Sequence, residues 1–412
     1  MEFTKKLRDY AELIVTHGLN VQRGQIVNIN TEACHREFAY ICAEAAYLKG
    51  AKYVNIDLRE PRLAKMRIEV SELEDLKYVP LYLPVKYREL VDEAGANLAI
   101  VGPEDPDLME SLDPRRVNTV RFHQRMAIKY FYDEGIGKSR VHWTVVAAAT
   151  EKWGKKVFPE ADPKEACSLL WEEIFRICRI GSGDSLEQWE IHNAKLKERA
   201  RKLTSLKIKE LHFTGEGTDL TVGLSQKAIF KGGSSTSIRN VDFEPNIPTE
   251  ECFTTPDWRK TAGKARATRP FLVNGKLVEG LELTFENGEI TECRARAGLD
   301  TFREYIASDP GAKRLGEVAL VGIDSPIYKS GLVFQEILFD ENAACHIAVG
   351  AAYKNCLEGG EGLSEEECEQ IGCNDSTVHT DIMISDETMR VDATCWSGDS
   401  VTLIDRGQWC QF

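Results

Sequence analysis

The chain has no long apolar run and no surplus of positive charge. No uninterrupted apolar segment approaches the roughly 18 residues that a membrane-spanning helix needs, so we expect no membrane association. Lysine and arginine number 52 against 66 aspartates and glutamates, which gives a net charge of -14. Nucleic-acid surfaces normally require clustered Lys and Arg. We therefore expect no nucleic-acid partner.

The sequence also lacks the glycine-rich loops that bind phosphate groups. The first predicted strand-to-helix turn, NINTEACHRE, contains no glycine, although a dinucleotide site needs glycine there so that the backbone can approach the pyrophosphate. No GxxxxGK[ST] pattern is present either. Nucleotide binding is therefore disfavoured. Zinc patterns of the HExxH and CxxC kinds are absent as well.

Cysteine is plentiful but follows no framework. The 12 cysteines are scattered, and most lie in apolar, helix-like runs. They indicate reduced, buried thiols of a cytosolic protein. The N-terminal segment MEFTKKLRDYAELIV carries charges among its apolar positions and has no small-residue cleavage site, so it predicts no secretory signal. We expect a cytoplasmic protein.

Strand and helix signals alternate through the first half of the chain. Residues 25–32 predict a strand, residues 35–51 a helix and residues 52–58 the next strand. Together they form a βαβ unit, which implies a parallel pair of strands. A chain of 412 residues is expected to form two domains. The first, residues 1–205, is predicted to be an N-terminal α/β layered domain.

From residue 206 the pattern changes to antiparallel strands. The segment LKIKELHFTGEGTDLTVGLS alternates apolar and polar residues around GEGTD, as a hairpin does. Asn-Gly pairs at 274–275 and 287–288 indicate tight turns, because both residues tolerate a positive φ. The overall class is α/β. Residues 206–412 are predicted to be an α+β C-terminal domain, rich in antiparallel strands, that carries a metal site.

Two histidines in this second half have suggestive neighbours. In VHTDIMIS, His379 and Asp381 share one face of a predicted strand and can offer nitrogen and oxygen to one cation. An ordinary hydrogen-bonded pair explains this spacing too. In ENAACHIAVGAAYKN we predict a helix with Asp340 as its N-cap, so that His346 and Tyr353, two turns apart, share a face. A satisfied core histidine is the alternative there.

Glutamates complete the set of candidates. Glu341 stands at the start of the same predicted helix, where the dipole favours a carboxylate and capping alone would explain it. In NIPTEECFTTP, Glu250 and Glu251 point to opposite faces of an extended segment, and the residues alone do not decide which one enters a site. Glu317 begins a very apolar strand, where a carboxylate is costly unless it is paired or bound to a cation. The combined set suits two divalent ions bridged by a carboxylate.

Four motifs carry a resemblance to a known family. They are NIPTEE-x-FT-x-P, GEVAL, LFDENAA-x-HIA-x-G-x-AY and NDS-x-VH-x-D-x-MI. In order and spacing the chain resembles the thermophilic-type metallo-aminopeptidases over nearly its full length, although Cys252 and Cys345 depart from the residues expected beside the ligands. The resemblance favours Glu251 over Glu250. It implies these five metal ligands: Glu251, Glu317, His346, His379 and Asp381.

The same resemblance implies an activity. Members of the family are homodimeric exopeptidases that release N-terminal amino acids from peptides with a free N-terminus, using two divalent ions. A site of this composition accepts Zn²⁺, Co²⁺, Mn²⁺ or Mg²⁺. As catalytic residues we expect a carboxylate, Glu341 or a ligand glutamate, that takes a proton from the attacking water, and Tyr353 as a hydrogen-bond donor to the oxyanion. The alternatives are another dinuclear amidase and a non-catalytic, metal-dependent peptide-binding dimer.

Overall fold

The computed structural model describes residues 2–181 and 183–411, and the chain forms two compact units. Each unit is built from two segments of the chain. The first consists of Met1–Glu190 and Ser234–Pro248, and the second of Ile191–Gly233 and Thr249–Phe412. The domain boundary expected after residue 205 stays a prediction.

Helices dominate the first part of the chain, and strands dominate the rest. The helices are α1 (Glu2–Leu13), α2 (Arg36–Lys49), α3 (Pro61–Val70), α4 (Tyr82–Asp92), α5 (Pro114–Ala127), α6 (Glu151–Val157), α7 (Pro163–Ile177), α8 (Ser185–Ser205), α9 (Leu299–Ile306), α10 (Pro326–Ser330), α11 (Ile337–Asp340) and α12 (Glu365–Gln370). The strands are β1 (Ile26–Glu32), β2 (Tyr53–Arg59), β3 (Ala96–Val101), β4 (His142–Ala147), β5 (Ile208–Gly215), β6 (Thr218–Leu224), β7 (Ser235–Thr236), β8 (Asp242–Phe243), β9 (Asn246–Ile247), β10 (Cys252–Thr254), β11 (Pro256–Arg266), β12 (Phe271–Val273), β13 (Lys276–Val278), β14 (Glu282–Glu286), β15 (Glu289–Arg294), β16 (Leu315–Leu320), β17 (His346–Gly350), β18 (His379–Met383), β19 (Arg390–Cys395), β20 (Ser400–Asp405) and β21 (Gln408–Trp409).

The first unit is built on a five-stranded parallel sheet of order β2-β1-β3-β4-β9. β1 and β2 are parallel neighbours joined through α2, which confirms the predicted βαβ unit. Val27 and Ile29 of β1 are buried. On the other face of the strand, the side-chain amides of Asn28 and Asn30 both donate to Oδ1 of Asn97, at 3.1 and 2.8 Å. The sheet therefore has one apolar and one polar face at this strand.

Capping residues set the helix starts of this unit. α7 begins with Pro163, whose missing N–H costs nothing at that position. The carboxylate of Asp162 before it accepts hydrogen bonds from the amides of Lys164 and Glu165, both at 3.0 Å. Asp113 caps α5 in the same way, through the amide of Arg115. Such caps stabilise a helix by about 1 kcal/mol each.

The second unit contains two larger antiparallel sheets. One has eight strands in the order β15-β14-β11-β6-β5-β19-β20-β21, and the other has four in the order β10-β16-β17-β18. The Asn-Gly pairs form the predicted turns, between β12 and β13 and between β14 and β15. Buried residues of both sheets share one apolar core. Together the two units confirm the α/β class, with antiparallel strands concentrated in the C-terminal half.

The helix predicted over ENAACHIAVGAAYKN is wrong. Glu341–Ala343 is a single 3₁₀ turn, and His346–Gly350 is strand β17, paired with β16 and β18. Asp340 is the last residue of α11, and its side chain makes no capping hydrogen bond to the 3₁₀ turn that follows. The alanine-rich sequence favours a helix locally, but pairing with two neighbouring strands overrides that propensity. His346 and Tyr353 therefore do not share a helix face.

Within residues 2–181 and 183–411, no helix has both the length and the apolar composition required to cross a bilayer.

The two Asn-Gly turns offer a matched test of the fold. Gly275 and Gly288 have φ angles of 80° and 86°, where a side chain costs about 1–2 kcal/mol. A Cβ at Gly275 meets no atom within 4 Å, whereas one at Gly288 falls 2.2 Å from the carbonyl oxygen of Trp258. We expect Gly275→Ala to lower the thermal unfolding midpoint slightly and Gly288→Ala to lower it markedly more. Equal shifts in calorimetry would contradict the packing of this turn.

Candidate metal centre

The four-stranded sheet brings the predicted ligands to one place. Glu251 directly precedes β10, Glu317 lies in β16, and His346 is the first residue of β17. His379 and Asp381 lie in β18. The five residues thus lie in, or directly before, neighbouring strands of the order β10-β16-β17-β18, although the first and last are 130 residues apart in sequence (381 minus 251).

The pairing register puts these side chains on one face of the sheet. Ala348 in β17 is paired with Glu317 of β16 on one side and with Asp381 of β18 on the other. Directly paired residues point to the same face, as do alternate residues along a strand. His346 on β17 and His379 on β18 therefore face the same way as Glu317 and Asp381. The small side chain of Ala348 leaves space between the two carboxylates.

Two groups of potential ligands overlap in Glu317. Ligand atoms of Glu251, Glu317 and His346 lie within 4.8 Å of one another, and so do those of Glu317, His379 and Asp381. Nε2 of His346 is 3.9 Å from Oε1 of Glu317, and Nε2 of His379 is 3.3 Å from its Oε2. The two oxygens of Glu317 thus face different histidines. Glu317 could therefore offer one oxygen to each group of ligands.

Both histidines are oriented by backbone carbonyl groups. Nδ1 of His346 lies 3.2 Å from the carbonyl oxygen of Ala344, and Nδ1 of His379 lies 2.8 Å from that of Ala351. A carbonyl oxygen only accepts, so each Nδ1 carries a proton, and each Nε2 is the ring nitrogen that faces the carboxylates and could bind a cation. Metal-binding histidines are commonly held in this way.

The centre also contains a buried oxygen that lacks a conventional partner. Oε2 of Glu251 is buried and makes no hydrogen bond among the described residues, although Nε2 of His346 is 3.1 Å away. A buried carboxylate oxygen in this condition is costly. A cation would satisfy it, and oxygen and imidazole donors suit divalent ions. The residues present therefore fit a metal site.

The carboxylates and histidines of the cluster strongly shift one another's pKa values. Burial, followed by the carboxylates of Glu251 and Asp381, raises the pKa of Glu317 to about 7 against the opposing contact with His379. Burial by itself would lower the pKa of His346, but the Glu251 carboxylate and its neighbours raise it to about 10. The pKa of Asp381 is lowered, because His379 outweighs its burial. Positive charge is thus strongly favoured at this point.

Glu341 lies beside the cluster without belonging to either group of three. It stands in the 3₁₀ turn before β17, so the predicted position at a helix start is wrong. Burial, and then the carboxylates of Asp381 and Glu251, raise its pKa well above the ordinary range. Its Oε1 accepts a hydrogen bond of 3.3 Å from the side-chain amide of Asn342.

Tyr353 borders the cluster on a more open side. Its ring centroid lies 5.2 Å from that of His379 and 5.8 Å from that of Phe253, and the residue is 43% exposed. The hydroxyl of Thr255 fixes the local backbone, because it donates to the carbonyl of Tyr353 and accepts from the amide of the same residue. Tyr353 therefore neighbours His379.

The structure separates Glu250 from Glu251, which the residues alone could not do. Oε2 of Glu250 lies 3.6 Å from Nε2 of His192, whereas Glu251 contacts His346. His192 in turn contacts the carbonyl oxygen of Thr249 at 2.8 Å. Only Glu251 belongs to a group of potential cation ligands.

The two cysteines beside the ligands are buried thiols. Burial raises the pKa of Cys252 to about 12 and that of Cys345 to about 11. Sγ of Cys345 contacts the backbone of Val321, and Sγ of Cys252 contacts the carbonyl of Leu196. Both side chains therefore pack into the protein as small apolar groups.

One polar residue of the site escaped the sequence analysis. Asn342 is fully buried and contacts both Glu341 and the backbone of Glu250. The available signal was its position directly before Ala343 and Ala344, at the start of an apolar stretch. A side-chain amide that is buried there must find hydrogen-bond partners. The partner on Glu250, distant in sequence, gave no local signal.

Comparisons with known proteins agree with this geometry. Residues 3–409 match the family model described as "Thermophilic metalloprotease (M29)". Aminopeptidase AmpS of Bacillus subtilis is 37% identical over 407 residues, and Aminopeptidase T of Thermus thermophilus is 39% identical over 407 residues; each alignment covers 99% of both chains. A solved structure, wild-type AmpT from Thermus thermophilus, matches with a TM-score of 0.91 and 38% identity, covering 99% of this chain and all of that one.

A match over nearly every residue, with relatives well above 30% identity, is far more than a shared fold, and it coincides with a cluster of buried carboxylates and imidazoles. The chain belongs to the thermophilic metalloprotease (M29) family.

Proposed function

We propose that this chain is a metal-dependent aminopeptidase that removes N-terminal amino acids from peptides and uses two divalent cations. The observation that carries the proposal is the pair of ligand groups that share Glu317. The names of the relatives, Aminopeptidase AmpS and Aminopeptidase T, support the peptide as the substrate class.

We assign one cation to Glu251, Glu317 and His346, and the other to Glu317, His379 and Asp381. Two cations held there would supply Lewis acidity for the scissile carbonyl, an anchor for the free α-amine and a lowered pKa of the attacking water. Zn²⁺, Co²⁺, Mn²⁺ and Mg²⁺ all suit such a donor set. The protein's part is to hold the ligands in a dry, fixed arrangement.

Two further residues take catalytic roles in this proposal. Glu341 would accept the proton of the attacking water, because it is a carboxylate beside the cluster that belongs to neither ligand group and remains available as a base. Tyr353 donates a hydrogen bond to the oxyanion, since its ring adjoins His379 on an accessible side of the cluster.

We also propose a cytoplasmic homodimer. All 12 cysteines are free thiols, which suits a reducing compartment. Several large apolar side chains of the first unit are strongly exposed, which is typical of surfaces that bind another protein. Among them are Leu63, Val70, Leu81, Tyr82 and Val85.

Neighbouring glutamates give a matched test of the ligand assignment. Glu251→Gln removes a charged ligand, and we expect kcat/KM on aminoacyl anilides to fall by at least about 100-fold, since even outer partners of metal ligands cost about 10–100-fold. Bound cations, counted after equilibrium dialysis, should fall from two per chain to one or fewer. Glu250→Gln should retain both cations and most of the activity. The reverse ranking would contradict the assignment.

Substrates with and without a free amine test the exopeptidase activity. An enzyme that anchors the α-amine must reject a peptide whose N-terminus is acetylated, because the amide nitrogen no longer offers a lone pair. We expect steady hydrolysis of peptides with a free amine, from the N-terminus only. Acetylated peptides should react at no more than about 1% of that rate, because an unpaired polar contact costs roughly 3 kcal/mol. Equal rates would indicate another dinuclear amidase, and binding without turnover a non-catalytic peptide-binding protein.

The mass in solution tests the homodimer. Light scattering on the purified chain should give twice 46.3 kDa. Replacing Val70 and Leu81 by aspartate should shift the mass towards that of one chain if the exposed apolar residues lie in the interface. A single-chain mass for the wild-type protein at micromolar concentration would contradict the dimer.

A further inference from the structure

One fully buried amide connects the two acidic segments of the centre. The side chain of Asn342 is 0% exposed. Its Oδ1 accepts a hydrogen bond of 2.7 Å from the amide of Glu250, 92 residues away in sequence. Its Nδ2 donates to the carbonyl of Leu338 at 3.0 Å and to Oε1 of Glu341 at 3.3 Å.

These contacts leave the amide a single orientation. The Glu250 N–H requires an oxygen, whereas the Leu338 carbonyl and the Glu341 carboxylate require a donor. Exchanging Oδ1 and Nδ2 would break all three bonds. The main chain is fixed as well, since the carbonyl of Asn342 accepts a hydrogen bond of 2.7 Å from the hydroxyl of Ser325.

The amide acts on both acidic residues at once. Holding the Glu250 N–H fixes the Thr249–Glu250 peptide, one residue before Glu251. Donation to Oε1 fixes one oxygen of Glu341 and leaves Oε2 to accept a proton. The Asn342 amide is the hydrogen-bond donor to the Glu341 carboxylate in the described part of the chain, so that carboxylate depends on it for its rotamer.

We propose that Asn342 is a positioning residue that sets the Glu341 carboxylate against the cation ligands. The proposal rests on the proposed function, because it gives a reason for the exact placement of the base. Catalytic groups must be held within about 0.5 Å of their productive geometry by such supporting hydrogen bonds. Asn342 need not touch the substrate to do so.

Two substitutions separate the two halves of this role. Asn342→Asp keeps an oxygen for the Glu250 amide and loses the Nδ2 donor, so we expect kcat to fall about 10–100-fold, the usual cost of losing a supporting partner. KM and the number of bound cations should stay near the wild-type values. Asn342→Leu loses every side-chain bond, and we expect it to weaken cation binding in equilibrium dialysis as well as to lower kcat.

The control and the coupling test distinguish positioning from general loosening. Ser325→Ala removes the neighbouring bond to the Asn342 carbonyl and should lower the unfolding midpoint while leaving kcat within about threefold of wild type, since it leaves the side-chain amide in place. In a Glu341→Gln background, Asn342→Asp should cost little further activity, because residues that act as a unit are strongly non-additive.

Three results would overturn the role of Asn342: an unchanged kcat in Asn342→Asp, an equal loss in Ser325→Ala, or the same loss with and without Glu341→Gln. Failure of the proposed function is distinguishable. A wild-type chain that hydrolyses no peptide contradicts both, whereas an active wild type with an indifferent Asn342→Asp variant contradicts this role alone.

Discussion

The second unit is organised around one physical constraint: several carboxylates lie close together at a place that is shielded from water. Burying one carboxylate without a partner is costly, and charges gathered at a few ångströms repel one another strongly in a medium of low polarity. The folded chain carries this cost where four carboxylates surround two imidazoles. They are Glu251, Glu317, Glu341 and Asp381, around His346 and His379. Only a rigid framework can hold such a set before a cation neutralises it.

The register of the four-stranded sheet supplies that framework for the residues that lie within its strands. A shift of one residue in β17 would turn His346 to the opposite face, because side chains alternate along a strand. Glu317 and Asp381 are aligned through Ala348 between them, and a larger side chain at that position would fill the space that the ligands enclose. The apolar residues on the other face pack into the core. Burial of that face therefore fixes the geometry of the polar one.

Sequence patterns predicted correctly those features that neighbouring residues determine. Alternation along β18 placed His379 and Asp381 together correctly, and the Asn-Gly turns were recognised by their tolerance of positive φ. The prediction failed where contacts between segments far apart in the sequence determine the secondary structure. The sequence around His346 favours a helix, yet it is a strand, because β16 and β18 offer backbone partners from far along the chain. Glu250 and Glu251 could not be distinguished from the residues for the same reason, and the family resemblance supplied what the local pattern lacked.

The centre has two kinds of residue, and they need different support. Glu317, His346, His379 and Asp381 stand within paired strands, so the ladder of backbone hydrogen bonds fixes their positions. Glu251 lies just before a strand and Glu341 in a turn, where no ladder constrains them. The side-chain amide of Asn342 instead contacts Glu341 directly and accepts from the backbone N–H of Glu250, the residue before Glu251. Hydrogen bonds of one side chain thus replace the backbone ladder beyond the end of the sheet. Without them, a carboxylate in a turn would sample several rotamers.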